Sequence, residues 1–477
     1  MSLIKNAIYN VIYQVLNVLI PIITIPYISR VLGSNGIGEY SYTNSYVQYF
    51  MLLGMLGIAI YGNRQIAYLK SDRNKIEREF INIYMLQVIA NLVALTVYII
   101  IFVIINTENR ALYLAQGINL LSCMLDISWF FIGYENMKSV VLRNTVVKVI
   151  GVILIFIFVK NENDIILYTI ILSTSMVFGQ LIMWFGLNKY IGIVKPSLEE
   201  MKKHLKPIMT LFISQIAVQI YVLLDKTMLG IIKDASEVGF YTNSQKTIKL
   251  ALTLSTSIGV VMLPRMSSLH YLGKKEEFKN LMEKSFSFCN VLAIPIFFGL
   301  FVIASSFSPW FYGQGFDGIQ NLIRVGAIII IPISISNVLG MQIMMPIGRE
   351  KQFTISVICG LIVNFILNLI MIPLYGSMGS MIASVFSEFV ITIVQLYFLK
   401  DIIEIKMILK TLKKPLIGSI GMSIIVYLLT ITFSIGIIST FIEVVIGGII
   451  YLIIMLLLKE EIIFIILNKI LSKYKQK

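Results

Sequence analysis

Two lysines, Lys246 and Lys249, interrupt an apolar stretch of this sequence and share one side of a helix with small hydroxyl side chains. At about 100° per residue, a single arc holds the polar residues of the stretch, which are Thr242, Lys246, Lys249, Thr253, Thr256 and Ser257. An ammonium group donates strong hydrogen bonds to phosphate oxygens. The spacing therefore predicts one wall of a wet cavity that binds an anion. The alternative is that Lys246 extends outward to the membrane surface.

Other charged and amide side chains also lie within apolar runs. The candidate anion-binding cations are Arg30, Lys148, Lys226, Lys246, Lys249 and Arg324. The candidates for lining the cavity or coupling to an ion are Gln215, Gln219, Asp225, Asp126 and Glu388. A charge at mid-bilayer costs at least about 2.5–3.5 kcal/mol, so each is expected to face protein or water. A structural ion pair is the alternative for Asp126 and Lys148, and head-group anchoring is the alternative for Arg30 and Arg324.

The balance of these charges favours an anionic ligand. In or beside the outer half of the expected spans the cations are Arg30, Lys226, Lys246, Lys249 and Arg324. The acids there are Glu39 and Asp225. Such surroundings attract an anion more strongly than an organic cation. A phosphate or pyrophosphate group suits several lysines and arginines, because each of them donates charge-assisted hydrogen bonds.

These side chains need a membrane-embedded helical framework. The chain of 477 residues is 57% hydrophobic and only 13% charged, with a mean hydropathy of +0.87, whereas soluble domains carry about a quarter of their residues as charges. Apolar runs long enough to cross a bilayer recur throughout, and lipid requires them to be helices. We predict fourteen spans, at 8–29, 39–61, 80–105, 111–133, 144–159, 165–186, 208–231, 241–263, 285–307, 319–345, 353–373, 378–398, 415–434 and 440–458.

Lysine and arginine are distributed unevenly between the two sides of these spans. Of the 39 Lys and Arg residues, thirty fall in the terminal segments and alternate connections on one side and four in the connections on the other. The positive-inside rule therefore predicts that both termini are cytoplasmic. The formal net charge of +14 reflects topology and contact with anionic lipid, so nucleic acid is not an expected partner.

An internal repeat predicts how the spans are grouped. The tetrapeptide Tyr-Thr-Asn-Ser occurs at 42–45 and 241–244, each time after a helix that ends in Leu-Gly, and Arg64 and Arg265 follow at matching places. Six helices separate the copies, so the two halves run in parallel orientation. We predict six-helix bundles at 1–207 and 208–398 and an additional helical pair with a basic cytoplasmic tail at 399–477. The fold class is thus an all-α polytopic membrane protein.

The sequence offers little to support catalysis. Cys123, Cys289 and Cys359 lie in apolar runs, and the two histidines lie in basic loops without metal-ligand spacing. Neither a phosphate-binding glycine loop nor a zinc-protease motif occurs. We expect no metal, no cofactor and no catalytic residue, and therefore a transporter rather than an enzyme.

Three stretches resemble bacterial polysaccharide-repeat flippases of the Wzx type, within the superfamily of multidrug, oligosaccharidyl-lipid and polysaccharide exporters. One is Ile25-Pro26-Tyr27-Ile28-Ser29-Arg30-Val31-Leu32-Gly33 with the following Gly36-Ile37-Gly38-Glu39-Tyr40. Another is Leu224-Asp225-Lys226-Thr227-Met228-Leu229-Gly230. The most specific is Asp126-Ile127-Ser128-Trp129-Phe130-Phe131-Ile132-Gly133-Tyr134-Glu135. The resemblance covers the whole chain in helix count, spacing and two-half plan.

The resemblance implies a flippase of the bacterial plasma membrane. Its substrate would be an undecaprenyl-pyrophosphate-linked oligosaccharide, moved from the cytoplasmic to the outer leaflet by alternating access for capsule, O-antigen or related polymer synthesis. Two six-helix bundles would form a V-shaped cavity for the sugar head group while the lipid tail stays in the bilayer. Other polysaccharide assembly proteins are further expected partners.

Two other functions remain open at this point. A multidrug or cation antiporter of the same superfamily would place acids rather than lysines in its cavity. A membrane-embedded polysaccharide polymerase or glycosyltransferase would need a large outer loop or a cytosolic sugar-nucleotide domain, and the predicted connections leave room for neither.

The predicted topology can be checked by cysteine labelling from outside the cell. In a background without the three native cysteines, a membrane-impermeant thiol reagent should modify Gly313→Cys and should not modify Lys275→Cys, because the two positions lie in connections on opposite sides. Labelling of both after permeabilisation is the control. The reverse pattern would show that the orientation is wrong.

Overall fold

The structure is a computed structural model that describes residues 2–69, 72–106, 108–192, 194–256 and 258–465. Those residues are helices joined by short turns, and they contain no β-strand. Large apolar side chains cover much of the outer surface, and Phe185, for example, is 85% exposed. Water would penalise such a surface, so it is suited to contact with lipid. Most of the predicted basic tail, from residue 466 onward, lies outside the described residues.

The chain divides into two compact units, of which the first is Met1–Gly239. Its α-helices are α1 (Ser2–Met55), α2 (Ile58–Leu69), α3 (Arg73–Ile99), α4 (Arg110–Met124), α5 (Ser128–Gly133), α6 (Met137–Phe158), α7 (Ile165–Leu187) and α8 (Leu198–Ile232). A π-helical turn at Ile100–Ile105 extends α3. Aromatic side chains of α3 and α5, including Phe80 and Trp129, form the centre of a buried apolar cluster in this unit.

The second unit is Phe240–Lys477, and α9 (Ala235–Thr256) begins just before it. Its other α-helices are α10 (Ile258–Tyr271), α11 (Lys275–Tyr312), α12 (Ile319–Ala327), α13 (Ile330–Asn337), α14 (Glu350–Phe398), α15 (Ile405–Thr432) and α16 (Ile437–Leu457). A π-helical segment at Val338–Met344 follows α13. In this unit, α15 packs along α11 and α16.

Two glycines divide the longest helices. Gly33 in α1 has a φ of 65°, and Gly376 in α14 has a φ of 57°, so neither residue is helical. A side chain at such a φ would be strained, which explains glycine at both positions. Each of these long helices therefore contains two of the predicted spans.

The predicted fold class is confirmed: the chain is an all-α, multi-pass membrane protein. Ten described helical stretches are long and apolar enough to cross a membrane, and those containing α1 and α14 each hold two predicted spans. The two remaining predictions correspond to α8 and to the pair α9 and α10. Three predicted spans need correction, because they are not continuous helices. The span at 39–61 is interrupted between Met55 and Ile58, that at 111–133 between Met124 and Ser128, and that at 319–345 between Ala327 and Ile330.

Ion pairs join helix ends outside the apolar stretches. The Arg349 guanidinium, at the start of α14, donates to both carboxylate oxygens of Asp401, which lies between the end of α14 and the start of α15. This hydrogen bonding holds the pKa of the Asp401 carboxyl below its usual value. The side chains of Arg349 and Asp401 are 27% and 53% exposed, so water screens the pair in part and its contribution to stability is modest.

Candidate functional site

In the first unit, the end of α8 packs against the second half of α1. A Cβ added to Gly230 would lie only 2.0 Å from Cδ2 of Tyr42, so a glycine lets the helices approach closely. On the preceding turn, the Thr227 hydroxyl lies 3.1 Å from Ser45 Oγ and 3.2 Å from the Tyr49 hydroxyl. The first repeat tetrapeptide and the 224–230 stretch are therefore packing partners in this unit.

Asp225 and Lys226 lie beside this contact and differ in how exposed their side chains are. Asp225 is 6% exposed, whereas Lys226 is half-buried. Gln219, two turns earlier on α8, is exposed. The side chain of Gln215 lies outside the described residues. The assignment of Gln215 and Gln219 to the cavity lining thus stays a prediction.

Lys148 of α6 lines a cavity of about 280 Å³ between α1, α6 and α7. The Lys148 ammonium donates a hydrogen bond to the Asn17 side-chain oxygen on α1. The remaining lining is mainly apolar and includes Pro21 and Tyr168. This cavity therefore combines a mainly apolar wall with a positively charged side chain, which can donate charge-assisted hydrogen bonds.

Arg30 lies on the exposed side of α1, shortly before the bend at Gly33. Its guanidinium donates to the carbonyl of Pro26, at 3.2 Å. This position is compatible with binding either a ligand or a lipid head group.

Asp126 lies at the break between α4 and α5. Its Oδ1 accepts from the Ser128 backbone N–H, at 2.8 Å, in a turn-type bond to the first residue of α5. Gln87 of α3 also bonds to the backbone at this break: its amide group donates to the carbonyls of Cys123 and Asp126, at 2.7 and 2.8 Å. The Trp129 indole N–H donates in turn to Gln87 Oε1, at 3.0 Å. The described contacts thus give Asp126 a structural role.

In the second unit, the lysines of α9 have different surroundings. Lys249 is exposed, and one turn later the Thr253 hydroxyl donates back to the Lys249 carbonyl at 2.8 Å. Lys246 is half-buried, and Thr242 is only 2% exposed. Ser257 lies outside the described residues. The predicted polar face is therefore exposed around Lys249 and closed by protein at Thr242.

Glu388 belongs to a row of polar residues on the second half of α14. Its neighbours in the row bond to two other helices and to the first half of α14: Ser384 to Tyr241 of α9 at 3.0 Å, Thr392 to the Pro332 carbonyl of α13 at 3.0 Å, and Gln395 to Ser356 of α14 at 3.2 Å. Ser384, Thr392 and Gln395 are all buried, while Glu388 is half-buried. The row is thus a buried seam between helices, with Glu388 as its most accessible member.

Arg324 of α12 is bound to α11. Its Nη2 donates to Ser305 Oγ at 2.6 Å, its Nε donates to the Phe301 carbonyl at 3.2 Å, and its guanidinium carbon lies 5.8 Å from the centre of the Phe301 ring. These contacts fix the side chain against a neighbouring helix. They leave one guanidinium nitrogen, Nη1, with no contact to α11 among them.

Several buried polar residues escaped the sequence analysis. Gln87 and Gln116 are completely buried, and the Gln116 amide joins α4 to Asn44 and to the Tyr40 carbonyl of α1. Glu443 of α16 is 1% exposed in the centre of an apolar helix pair. Periodicity could not find them, because each is a single polar residue in an apolar run. Composition alone could have identified them, because an acid or amide within a membrane span costs free energy unless it has a hydrogen-bond partner.

Two family models match this sequence. One, described as polysaccharide biosynthesis protein, matches residues 3–270, and the other, described as lipid II flippase MurJ, matches residues 137–447. Each match covers more than half of the chain. The chain belongs to both families. The resemblance to polysaccharide flippases seen in the sequence motifs is thereby confirmed.

Relatives of these families match over most of their length. A protein of Escherichia coli (strain K12) that carries the name of an O-antigen transporter is 24% identical over 406 residues, which are 84% of this chain and 97% of the relative. A protein of the same name from Shigella dysenteriae is 25% identical over 403 residues, or 83% of this chain and all of the relative.

Solved structures show the same fold. Lipid II flippase MurJ, in an inward closed conformation, matches with a TM-score of 0.78 and 16% identity, over 94% of this chain and 98% of that chain. An inward-facing multidrug resistance transporter of the MATE family matches with a TM-score of 0.58 and 14% identity, over 83% of this chain and 99% of that chain. At these identities the likeness concerns the fold alone.

The role of Asp126 can be separated from that of a coupling charge. Asp126→Asn keeps an oxygen that accepts from Ser128, so we expect stability and transport close to wild type. Asp126→Ala removes this hydrogen bond and should cost about 1 kcal/mol of stability. Thermal unfolding in detergent measures stability, and the amount of surface polymer measures transport. If Asp126→Asn folded normally but lost transport, the charge itself would be required.

Proposed function

We propose that this protein flips undecaprenyl-pyrophosphate-linked oligosaccharides from the cytoplasmic to the outer leaflet of the bacterial plasma membrane, for capsule, O-antigen or related polysaccharide synthesis. The observation that carries the proposal is membership of two families named for polysaccharide biosynthesis and lipid II flipping, together with cations inside the membrane spans. A lipid-linked pyrophosphate is the ligand that explains both: its charge suits the cations and its tail suits the bilayer.

The proposed binding group comprises the six candidate cations named from the sequence. Two observations support it. Lys249 is exposed on a span helix although a neutral residue would cost less there, and Lys148 presents its charge in a mainly apolar cavity. A polyprenyl pyrophosphate needs apolar contacts for its prenyl chain and positive charge beside its pyrophosphate. Asp225 and Glu388, together with the glutamines of α8, would line the path or bind a coupling ion.

The remaining parts of the proposal concern topology and organisation. Both termini are cytoplasmic, as the thirty-to-four distribution of Lys and Arg favours. The duplicated halves are 1–207 and 208–398, with 399–477 as an added pair. Each copy of the repeated tetrapeptide has buried members in its own unit, including Ser45 and Ser244, which supports a common origin for the halves. The substrate and the bilayer are the partners, and other polysaccharide assembly proteins would receive the product.

A multidrug antiporter is the second candidate, because MATE family transporters share the fold. Organic cations would then be the substrates, and acids would have to dominate the transport path. The charge distribution argues against this, since cations outnumber acids among the candidate residues of the outer half.

Deletion of the gene separates the two functions. A flippase deletion should leave lipid-linked repeat units accessible only from the cytoplasmic face and should abolish surface polymer, while sensitivity to cationic dyes stays unchanged. Extraction of lipid-linked sugars and staining of surface polymer provide the measurements, and complementation by the intact gene is the control. Normal polymer together with new dye sensitivity would identify an antiporter.

Lys249 is the cation whose replacement we expect to have the clearest effect. Lys249→Ala should abolish transport at normal membrane abundance, and Lys249→Arg should retain part of it, because charge is preserved while geometry changes. Lys233→Ala is the matched control, since Lys233 is equally exposed but lies beyond the end of α8. Surface polymer and protein abundance are measured together.

An internal ion pair would give a different pattern of variants. If Glu388→Lys restored transport to Lys249→Glu, the lysine would serve a salt bridge rather than the substrate. Tolerance of Lys249→Ala, or loss of transport in proportion to loss of protein, would also remove it from the binding group.

A further inference from the structure

Glu443 lies where a carboxylate is least expected. It is on α16, a helix with a mean hydropathy of 2.5 over its most apolar window, and it is 1% exposed. One carboxyl oxygen, Oε2, lies 2.7 Å from the Ser306 hydroxyl of α11. The other, Oε1, is buried and has no hydrogen-bond partner. An ionised carboxylate would leave much of its charge unsolvated in this place.

The hydroxyl of Ser306 has two neighbours but only one proton. It lies 3.1 Å from the carbonyl oxygen of Ile303 and 2.7 Å from Glu443 Oε2. A carbonyl oxygen can only accept, so a Ser306 that donates to Ile303 must accept from the carboxyl group. Both contacts are satisfied at once only if Glu443 carries a proton.

No cation compensates the carboxyl group. Within the part of the chain that the structure describes, no ion pair joins Glu443 to a lysine or arginine. Arg324 approaches the neighbouring face of α11 and donates to Ser305 rather than to Ser306. The lysines of α15 lie at its opposite end, where Lys414 pairs with Glu460. The titratable side chain of α15 nearest in register, Tyr427, is 57% exposed.

A second buried glutamate of the same unit, Glu460, has a cation that compensates its charge. Glu460 is 8% exposed and accepts from Ser287 at 2.8 Å, much as Glu443 contacts Ser306. Its other oxygen lies 3.4 Å from the Lys414 ammonium, which makes it an ion-paired carboxylate. The two sites share a buried carboxyl group and a serine, and they differ in the lysine.

We propose that Glu443 is a proton-binding site, a neutral carboxylic acid within the membrane that donates its proton to Ser306 and thereby joins α16 to α11. The joint has a second contact one turn away, where the Trp310 indole N–H donates to Thr440 at 2.8 Å. Loss of the proton would place an uncompensated charge between the two helices and weaken this end of their contact. The proposal holds whichever substrate the chain carries.

Infrared spectroscopy of the full chain in liposomes tests the protonation state directly. At neutral pH, Glu443→Gln should remove a carboxylic-acid C=O band that shifts in D₂O, because a neutral acid absorbs apart from carboxylates. Glu460→Gln, the matched control, should remove carboxylate bands and leave the acid region unchanged. Loss of carboxylate bands in Glu443→Gln, with an unchanged acid region, would overturn the proposal.

A second variant keeps the test decisive if Glu443→Gln does not fold. Ser306→Ala retains the carboxyl group but removes its hydrogen-bond partner, so the acid C=O band should shift in frequency. An acid region identical to that of the wild type would exclude a bond from Glu443 to Ser306.

Proton counting gives the sign of the pH dependence. The folded chain holds a proton at Glu443 that a solvated glutamate has lost at neutral pH, so stability from this site falls as pH rises. The thermal midpoint of the wild type should therefore decrease from neutral to alkaline pH more steeply than that of Glu443→Gln. Equal slopes in the two proteins would contradict a bound proton.

Discussion

Backbone groups inside a membrane have no water to bond with, and this constraint explains most polar side chains in the interior of the chain. At the break between α4 and α5, the helix ladder fails and carbonyls are released. The Gln87 amide donates to two of them, at Cys123 and Asp126, and is itself held by the Trp129 indole. A completely buried glutamine is thus the partner that makes a helix break tolerable in the first unit.

The same constraint changes the meaning of the most specific sequence motif. The residues from Asp126 to Glu135 resemble a flippase signature, yet their described contacts are with other parts of the helical framework. Asp126 accepts from the backbone N–H of Ser128, and a Cβ added to Gly62 of α2 would lie 2.4 Å from Cε3 of Trp129. A helix break, a side-chain bond to its backbone and a close helix contact thus coincide in this motif. Family membership therefore rests partly on residues that need never meet a substrate.

The sequence predicted the helical regions well because hydropathy records where lipid is the solvent, and each of the fourteen spans falls mainly on helix in the part of the chain that the structure describes. It failed at 111–133, since an apolar run contains no signal that a distant glutamine can repair a break within it. The positions of Gly33 and Gly376 mark bends that separate predicted spans, although the φ values could not be foreseen. Glu388 was predicted to line a cavity or to bind a coupling ion, but sequence alone does not say whether its side of α14 meets water or other helices.

The three tryptophans of the chain show how polar contacts and helix ends coincide. Trp129 donates to Gln87, Trp184 donates to the Leu125 carbonyl at 2.9 Å, and Trp310 donates to Thr440. Two indoles therefore report on the α4–α5 break and the third on the joint between α11 and α16. Indole emission depends on hydrogen bonding and local polarity, so single-tryptophan variants would give separate optical signals from two structural junctions without any attached dye.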